Sequence, residues 1–253
     1  MRLRGFYTLF YKEMLRFTKV AWQTLLAPVI TALLYLLVFA HVLESRVEVF
    51  DGVSYTAFLI PGLMMMSLIQ NAFANTSSSI IQSKLTGNIV FVLLAPLSYL
   101  EFFLAFVGAA VVRGVVVALG VYVAAWFFVP LPLHSVWVLF LFALLGSAAM
   151  GTLGMVAGIW AEKFDQLAGF QNFVIMPLSF LSGVFYSVDS LPPFWQGLSR
   201  LNPFFYMIDG FRYGFFGQSD VHPLFSLSIV SLSLVILAVS TVTLLNKGYR
   251  LRN

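Results

Sequence analysis

Long apolar stretches separated by short polar breaks occupy nearly the whole chain. A helix that crosses a bilayer needs roughly 20 consecutive apolar residues. Six stretches come close to or exceed that length, and they are residues 21–42, 56–81, 102–128, 135–161, 166–186 and 224–245. Before them, residues 1–20 place apolar side chains at helical spacing among several basic ones, a pattern typical of an amphipathic helix on a membrane surface. The pattern therefore predicts an all-α integral membrane protein.

A break follows the second predicted span, over residues 84–94. Polar residues and a glycine interrupt the apolar pattern at its start, and the apolar run that follows is too short to span before Pro96 ends it. After two crossings this stretch lies on the same side of the bilayer as the N-terminus. From the residues alone it is a loop outside the bilayer.

Residues 190–217 are apolar enough to enter a membrane but too interrupted to cross it. Pro192-Pro193 marks the start of one short helix. Asn202-Pro203 separates it from a second, because the residue before a proline is pushed out of helical geometry. Residues 204–216 are again shorter than a span. We therefore predict a re-entrant helical hairpin, whose backbone needs protein or a water-filled cavity around it.

Two charged residues lie in the second helix of this predicted hairpin. Asp209 and Arg212 are three residues apart and so share one helical face, where they can pair. Each alone would cost roughly 2.5–3.5 kcal/mol at a helix centre in a bilayer, and less near the interface. We therefore predict that the two side chains pair and that the pair stabilises the hairpin.

Polar side chains also recur inside the predicted spans. Asn71 and Asn75 lie one helical turn apart in the second span, in a stripe that serines continue. Arg113 lies inside the third span, where a charge is costly, and Asn71 at a similar depth is its candidate partner. Gln171 and Asn172 are polar positions in the fifth. Such residues either bond neighbouring helices or line a path through the membrane, and the sequence leaves both interpretations open.

The fourth predicted span carries small residues at a spacing of three or four. This pattern favours close packing of one helix against another. The small residues are Ala143, Ser147, Gly151, Gly154 and Gly158.

Composition excludes a soluble domain. The chain is 60% hydrophobic and 9% charged, whereas an average globular chain carries roughly 25% charged residues. Most of the 14 basic residues fall on one side of the membrane if both termini are cytoplasmic, as the positive-inside rule requires. The net charge of +4 is therefore explained by topology, and we predict no nucleic-acid partner.

Motifs for catalysis and metal binding are missing from the sequence. A phosphate-binding loop requires G-x-x-x-x-G-K-[ST], and the chain contains no Gly-Lys pair. The three histidines are scattered over the predicted outer boundaries of the spans, and the chain has no cysteine to bind a metal. We therefore predict a chain that is not an enzyme and holds no metal or cofactor of its own.

The region from residue 180 to 217 resembles the signature region of bacterial ABC-2 type permeases, the membrane subunits of ATP-binding-cassette exporters. The similarity extends over essentially the whole chain. The matching residues are Gly183, Val184, Phe185, Tyr186, Leu191, Pro192, Asn202, Pro203, Tyr206, Asp209 and Arg212.

This resemblance implies an exporter subunit of the bacterial inner membrane, with both termini in the cytoplasm. It implies a homodimer that works with a separate ATPase subunit, in which MgATP is bound. Residues 84–94 then correspond to a coupling helix that docks into that ATPase. The implied ATPase interface consists of Lys84, Leu85, Thr86, Gly87, Asn88, Ile89, Glu162 and Lys163.

The resemblance also implies a path or gate for an amphipathic cargo, such as a lipid-like molecule, a drug or a glycolipid. On this interpretation Asp209 and Arg212 hold the hairpin that closes the outer end of the path, or else Arg212 contacts an anionic cargo. The candidate path and gate residues are Asn71, Asn75, Arg113, Gln171, Asn172, Asn202, Pro203, Tyr206, Asp209 and Arg212.

Two other classes of membrane protein fit the sequence less well. An ion-coupled secondary transporter commonly has internal repeats and acidic residues inside its spans, and neither is evident here. A membrane-embedded enzyme that modifies lipids needs ionisable groups that converge at one depth, and only Arg113 qualifies.

Overall fold

The computed structural model describes residues 3–43 and 52–248. Residues 44–51, between the first two predicted spans, and residues 249–253 lie outside the described residues. Within them the fold is helical throughout. The helices are α1 (Leu3–Lys19), α2 (Ala21–Leu43), α3 (Tyr55–Leu85), α4 (Ile89–Leu94), α5 (Tyr99–Trp126), α6 (Val136–Trp160), α7 (Phe164–Phe170), α8 (Met176–Phe180), α9 (Pro193–Arg200), α10 (Pro203–Phe216) and α11 (Pro223–Lys247).

By length and composition, five helices of the described part could each cross a membrane: α2, α3, α5, α6 and α11. The fifth predicted span, residues 166–186, corresponds to α7 and α8, which a π-helical turn at Gln171–Ile175 joins into one continuous helix. That helix ends at Phe180 rather than at the predicted Tyr186, because the chain turns through Gly183, whose φ is +75°. The span count of six therefore stays a prediction.

The long helix α3 is the centre of the bundle. In its most apolar stretch 83% of the residues are buried, against 17% in α2 and 11% in α11. It packs most extensively against α6 and α5, and also against α10 and α2. Apolar faces of α2 and α11 consequently remain on the outside of the chain.

Small residues bring α6 close to its neighbours, which confirms the predicted packing face. A methyl group on Gly154 would overlap the carbonyl oxygen of Phe73 and the hydroxyl of Thr76 on α3. A methyl group on Gly158 would lie 3.0 Å from the carbonyl oxygen of Ser77. Close approach also allows the Thr76 hydroxyl to donate a 2.6 Å hydrogen bond to the carbonyl oxygen of Gly151.

The two short helices of the predicted hairpin are α9 and α10, and they break at Asn202 as expected. The side-chain oxygen of Asn202 accepts a 3.0 Å hydrogen bond from the Phe204 amide, which caps α10. Its side-chain nitrogen donates to the carbonyl oxygen of Leu178, 2.7 Å away. Pro203 is the first residue of α10, which is almost entirely buried against α3, α6 and α11. That α9 and α10 form a re-entrant hairpin in a membrane stays a prediction.

A matched pair of glycine substitutions tests the α3–α6 contact. We expect Gly154→Ala to lower the free energy of unfolding by about 1–3 kcal/mol, because the added methyl group meets backbone and overpacks the interface. Gly169→Ala, in α7, adds the same methyl group where no heavy atom lies within 4 Å, and should change stability by less than about 0.5 kcal/mol. Thermal unfolding in detergent measures both, and equal losses would contradict the close packing.

Candidate functional site

A buried ionic contact attaches α1 to the central helix. Glu13 is fully buried, and its carboxylate accepts hydrogen bonds from Arg16 Nε at 3.2 Å and from Ser79 Oγ at 2.8 Å. Arg16 then donates to the backbone and side-chain oxygens of Asn75, at 2.6 and 2.9 Å, and to Ser78 Oγ at 3.1 Å. Helix α1 is therefore held by specific charge-assisted bonds as well as by its apolar side chains.

The attachment of α1 to α3 was not anticipated from the sequence. One signal was available, since Glu13 is the only acid in an otherwise basic helix and falls on its apolar face. An acid on an apolar face needs a buried partner, because burying an isolated carboxylate is costly.

Arg113 contacts Asn71, as its depth predicted. Its Nη2 atom donates to Asn71 Oδ1 at 3.2 Å, and Asn71 Nδ2 in turn donates to the carbonyl oxygen of Ser67. Among the described residues no carboxylate lies within 4.0 Å of Arg113. In the polar stripe of α3, Asn71 thus bonds to α5 and Asn75 bonds to α1.

Asp209 and Arg212 do not form the predicted pair. In the described part of the chain no ion pair joins them, and each makes its hydrogen bonds to other groups. Asp209 accepts hydrogen bonds from the backbone amides of Asp220 at 2.8 Å and Val221 at 3.2 Å. Arg212 donates to the carbonyl oxygen of Gly183 at 2.9 Å. The prediction of a direct pair was therefore wrong.

The physical reason is that tertiary neighbours offer both groups better partners than one another. The guanidinium of Arg212 lies 3.8 Å from the ring centroid of Phe58 on α3, a cation–π contact in a fully buried setting. Asp209 satisfies two amides of the loop before α11 that would otherwise be orphaned. Spacing along one helix cannot reveal either contact.

A second carboxylate, that of Asp220, joins two loops near Asp209 and Arg212. Asp220 accepts a hydrogen bond from Ser187 Oγ at 2.6 Å and from the Val188 amide at 2.8 Å. On the other side of the hairpin, the Tyr206 hydroxyl donates to the carbonyl oxygen of Arg200 at 2.7 Å. The loops before α9 and before α11 are thus tied together through Asp220, a residue that the sequence reasoning missed.

At the opposite end of α3, the predicted helix over residues 84–94 is two elements. Lys84 and Leu85 are the last residues of α3, and Thr86, Gly87 and Asn88 form a turn before α4. The chain breaks there because Gly87 takes a left-handed conformation, with φ at +72°. Within residues 84–94, the separate helix therefore covers only Ile89–Leu94, and its role as a coupling helix stays a prediction.

Lys84 points inward from this turn. Its ammonium group donates to the carbonyl oxygens of Ile159 and Ala161, at 2.8 and 2.6 Å, and so caps the end of α6. Ile89 is also buried, in a cluster with Leu9 and Phe102. The other predicted interface residues are exposed, and they are Leu85, Thr86, Gly87, Asn88, Glu162 and Lys163.

Exposed apolar side chains surround the same turn. Phe91 and Leu94 of α4 are 74% and 77% exposed. A groove of about 910 Å³ separates α4 from α1, and Arg4 and Lys12 lie along its α1 side. Large exposed apolar residues beside a groove are typical of a surface that binds another molecule.

Gln171 and Asn172 lie in the π-helical turn between α7 and α8. Gln171 is half-buried and Asn172 is exposed. Single π-helical turns frequently mark functional positions in helices, and this one puts an amide on the outside of an apolar bundle.

Five apolar helices long enough to cross a membrane, packed around a central helix with a polar stripe, are typical of a multi-pass membrane protein. The chain belongs to the ABC-2 type transporter family, whose profile matches residues 4–216. The family expected from residues 180–217 is therefore confirmed.

Named relatives agree with this assignment. The chain is 42% identical over 243 residues to the inner membrane transport permease YadH of Escherichia coli (strain K12), covering 96% of this chain and 94% of that protein. It is 32% identical over 213 residues to nodulation protein J of Rhizobium leguminosarum bv. trifolii, covering 77% and 74%. With nodulation protein J of Rhizobium meliloti (strain 1021) the identity is 29% over 230 residues, covering 83% and 81%. Together these findings indicate a multi-pass inner membrane protein.

A pair of double-mutant cycles tests the partners of Arg212. Arg212→Lys should destabilise the protein strongly, because an ammonium group cannot both stack on Phe58 and reach the Gly183 carbonyl. Combined with Phe58→Leu, the two losses should be non-additive by roughly 0.5–3 kcal/mol, since the residues touch. Thermal unfolding measures each variant.

The comparison cycle combines Arg212→Lys with Asp209→Asn. Its interaction energy should be smaller than that of the Phe58 cycle, because the two charged groups have separate partners. A larger interaction energy in the Asp209 cycle would show that Asp209 and Arg212 interact directly after all.

Proposed function

We propose that this chain is the membrane subunit of an ABC exporter in the bacterial inner membrane. Two copies form the translocation path, and two copies of a separate ATPase subunit bind MgATP and drive the motion. The chain itself carries no catalytic group in this scheme. Its cargo is amphipathic, in the class of lipid-like molecules, drugs and glycolipids.

The surface between α1 and α4 is the observation that carries this proposal. It presents Phe91 and Leu94 beside an open groove, with basic side chains of α1 along one wall. Aromatic and aliphatic anchors of this kind, with charged residues at the edge, suit a protein partner. The adjacent exposed loop with Glu162 and Lys163 extends the same surface. We assign it to the ATPase subunit.

Lys84 gives this surface a direct connection to the interior. A displacement of the turn at residues 86–88 moves the end of α3, and the two hydrogen bonds from Lys84 pass it to the end of α6. Because α3 and α6 approach closely at their glycines, the two helices respond as one unit. Motion of the ATPase would therefore reach the centre of the bundle without passing through a flexible segment.

The path itself is proposed to lie between two copies of the chain. Most candidate path residues, including Arg113, Asp209 and Arg212, are engaged in contacts within one copy. Asn172 differs from these residues, because its amide is exposed on the outside of the bundle. An exposed amide in an apolar helix suits a water-filled path or a second copy better than hydrocarbon.

An ion-coupled mechanism has less support. In the five long helices the only carboxylate is Glu101, at the first turn of α5, where it forms a capping box with Ser98. Asp209 is fully buried and accepts two backbone hydrogen bonds. Neither group is free to bind and release a coupling ion.

Charge substitution on α4 tests the ATPase surface. We expect Phe91→Glu to abolish co-purification of the ATPase subunit, because it places a carboxylate in an apolar contact. The control is Phe127→Glu, at the other end of α5, where the side chain is 77% exposed and thus as accessible as Phe91. Co-expression, pull-down through a tag on this chain, and membrane yield are the measurements.

If the Phe91→Glu variant still co-purifies with the ATPase subunit and ATP hydrolysis is unchanged, the ATPase binds a different surface of this chain. Equal loss in the Phe127→Glu control would mean that the charge acts on insertion and not on docking.

Cysteine labelling tests the re-entrant hairpin and the orientation. The chain has no native cysteine, so Arg200→Cys and Gln218→Cys, both at exposed positions on either side of α10, give a clean signal. An impermeant maleimide should label both from outside intact cells, whereas Lys163→Cys should react only after the inner membrane is opened. Labelling of Arg200→Cys and Gln218→Cys from opposite sides would make α10 a span and contradict the hairpin.

A further inference from the structure

An apolar crevice lies beside α5 and α6, near the loop that joins them. Its volume is about 300 Å³, and its lining side chains are all apolar except for the Tyr122 hydroxyl. Met64 of α3 and Phe211 of α10 are buried residues of its floor. Leu119 of α5 and Phe140 of α6 lie at its rim and are exposed. The crevice therefore has room for a ligand and an entrance from the outside of the bundle.

The way α10 packs explains why this space is not filled by the chain itself. Gly210 and Gly214 let α10 lie directly on α6, because a methyl group on either glycine would overlap side chains of α6. In the described part of the chain, α10 packs against α3, α6 and α11 but only slightly against α5. Ala118 of α5 and Ala143 of α6 present no more than methyl groups to the resulting gap.

Two exposed tryptophans mark the depth of the crevice. Trp126 ends α5 and Trp137 is near the start of α6, and both are exposed. Tryptophan is enriched where a membrane meets water. Leu119 lies seven residues before Trp126, and Phe140 lies three residues after Trp137. At 1.5 Å per residue the rim is roughly 5–10 Å deeper than the tryptophans, a level at which acyl chains surround the protein.

We propose that this crevice binds one acyl chain of a bilayer lipid, and that the bound chain supports α10 from the side of α5. A cavity lined by carbon stays dry and binds apolar ligands. A methylene group is close in size to a water molecule, which occupies about 30 Å³ of liquid, so the crevice holds roughly ten methylenes. The chain packs there on Phe211 and Phe215, which are one turn apart on α10.

A second copy of the chain is the competing occupant. A whole helix is about 10–12 Å across and does not fit, so a second copy could insert no more than single side chains. Two observations favour the lipid. The rim is continuous with other exposed apolar side chains of α5 and α6, such as Val123 and Leu144, and the crevice lies at the depth of acyl chains. Since the lining is apolar, binding should depend on the chain and not on the headgroup.

Photo-cross-linking of the purified chain in detergent tests the site and needs no ATPase subunit. The probe is phosphatidylcholine with a diazirine in the first half of one acyl chain, added at less than one lipid per protein. Mass spectrometry of peptides locates the adducts. We expect them to concentrate in residues 115–122 and 136–143, with few on the exposed apolar face of α11. Phosphatidylglycerol with the same labelled chain should give the same distribution.

Two variants fill the crevice from different helices. Ala118→Leu and Ala143→Leu each put a larger side chain where the lipid chain lies, so each should lower the yield of crevice adducts by about tenfold through lost dispersion contacts. The control is Ala168→Leu, the same substitution at an exposed position of α7, and it should label like wild type. Thermal unfolding shows which variants are folded, and the distribution of adducts in wild type needs neither of them.

Hydrogen exchange tests the support of α10. Saturating unlabelled phosphatidylcholine should slow amide exchange in residues 204–216 of wild type and of Ala168→Leu, because the bound chain covers Phe211 and Phe215 and local opening becomes rarer. The crevice-filling variants should show no such response. Unchanged exchange in wild type at saturating lipid would overturn the role in supporting α10.

Three results would overturn the binding site itself. The first is an even spread of adducts over the crevice and α11, or an equal yield from wild type and the folded filling variants. The second is labelling by phosphatidylglycerol but not by phosphatidylcholine, which would mean that a headgroup is recognised. The third is cross-linking of the crevice residues between two copies of the chain in place of lipid adducts, which would identify the second copy as the occupant.

Discussion

The cost of leaving polar side chains without partners inside an apolar bundle shapes this fold. In hydrocarbon no water is available to satisfy such groups, and the central helix α3 carries a stripe of them. Arg16 reaches Asn75 from α1, and Arg113 reaches Asn71 from α5. These polar contacts fix which helices pack against α3 and at what height, while the glycines of α6 determine how closely the bundle closes.

Contacts between side chains at the same depth in two helices could be predicted from the sequence. Contacts between a helix and a loop could not. Arg113 and Asn71 were paired correctly because both lie a countable number of residues from a span end. Asp209 and Arg212 were paired wrongly because their partners, the Asp220 amide and the Gly183 carbonyl, lie in turns whose course no periodicity describes. The breaks at Asn202 and Gly217 were predictable, since Pro203 keeps the residue before it out of helical geometry and glycine permits the left-handed conformation that ends a helix.

The apolar pattern was also insufficient to predict where the helices end. Hydropathy placed the end of the second span at residue 81, whereas α3 continues to Leu85. The four extra residues are polar enough to leave hydrocarbon but are still helical. They bring Lys84 under the last carbonyls of α6, where a cation is favoured by the helix dipole. A hydropathy window reports where a helix leaves the lipid, and the capping contacts decide where it stops.

The order of helices along the chain gives the α1–α3 contact a consequence for biosynthesis. The chain is made from its N-terminus, so α3 enters the bilayer before α5 and α6 exist to cover it. Helix α1 precedes α3 and supplies Glu13 and Arg16 to Asn75, Ser78 and Ser79 at that stage. It therefore shields half of the polar stripe from lipid during insertion, and a chain shortened at its N-terminus would have to insert α3 with that stripe bare.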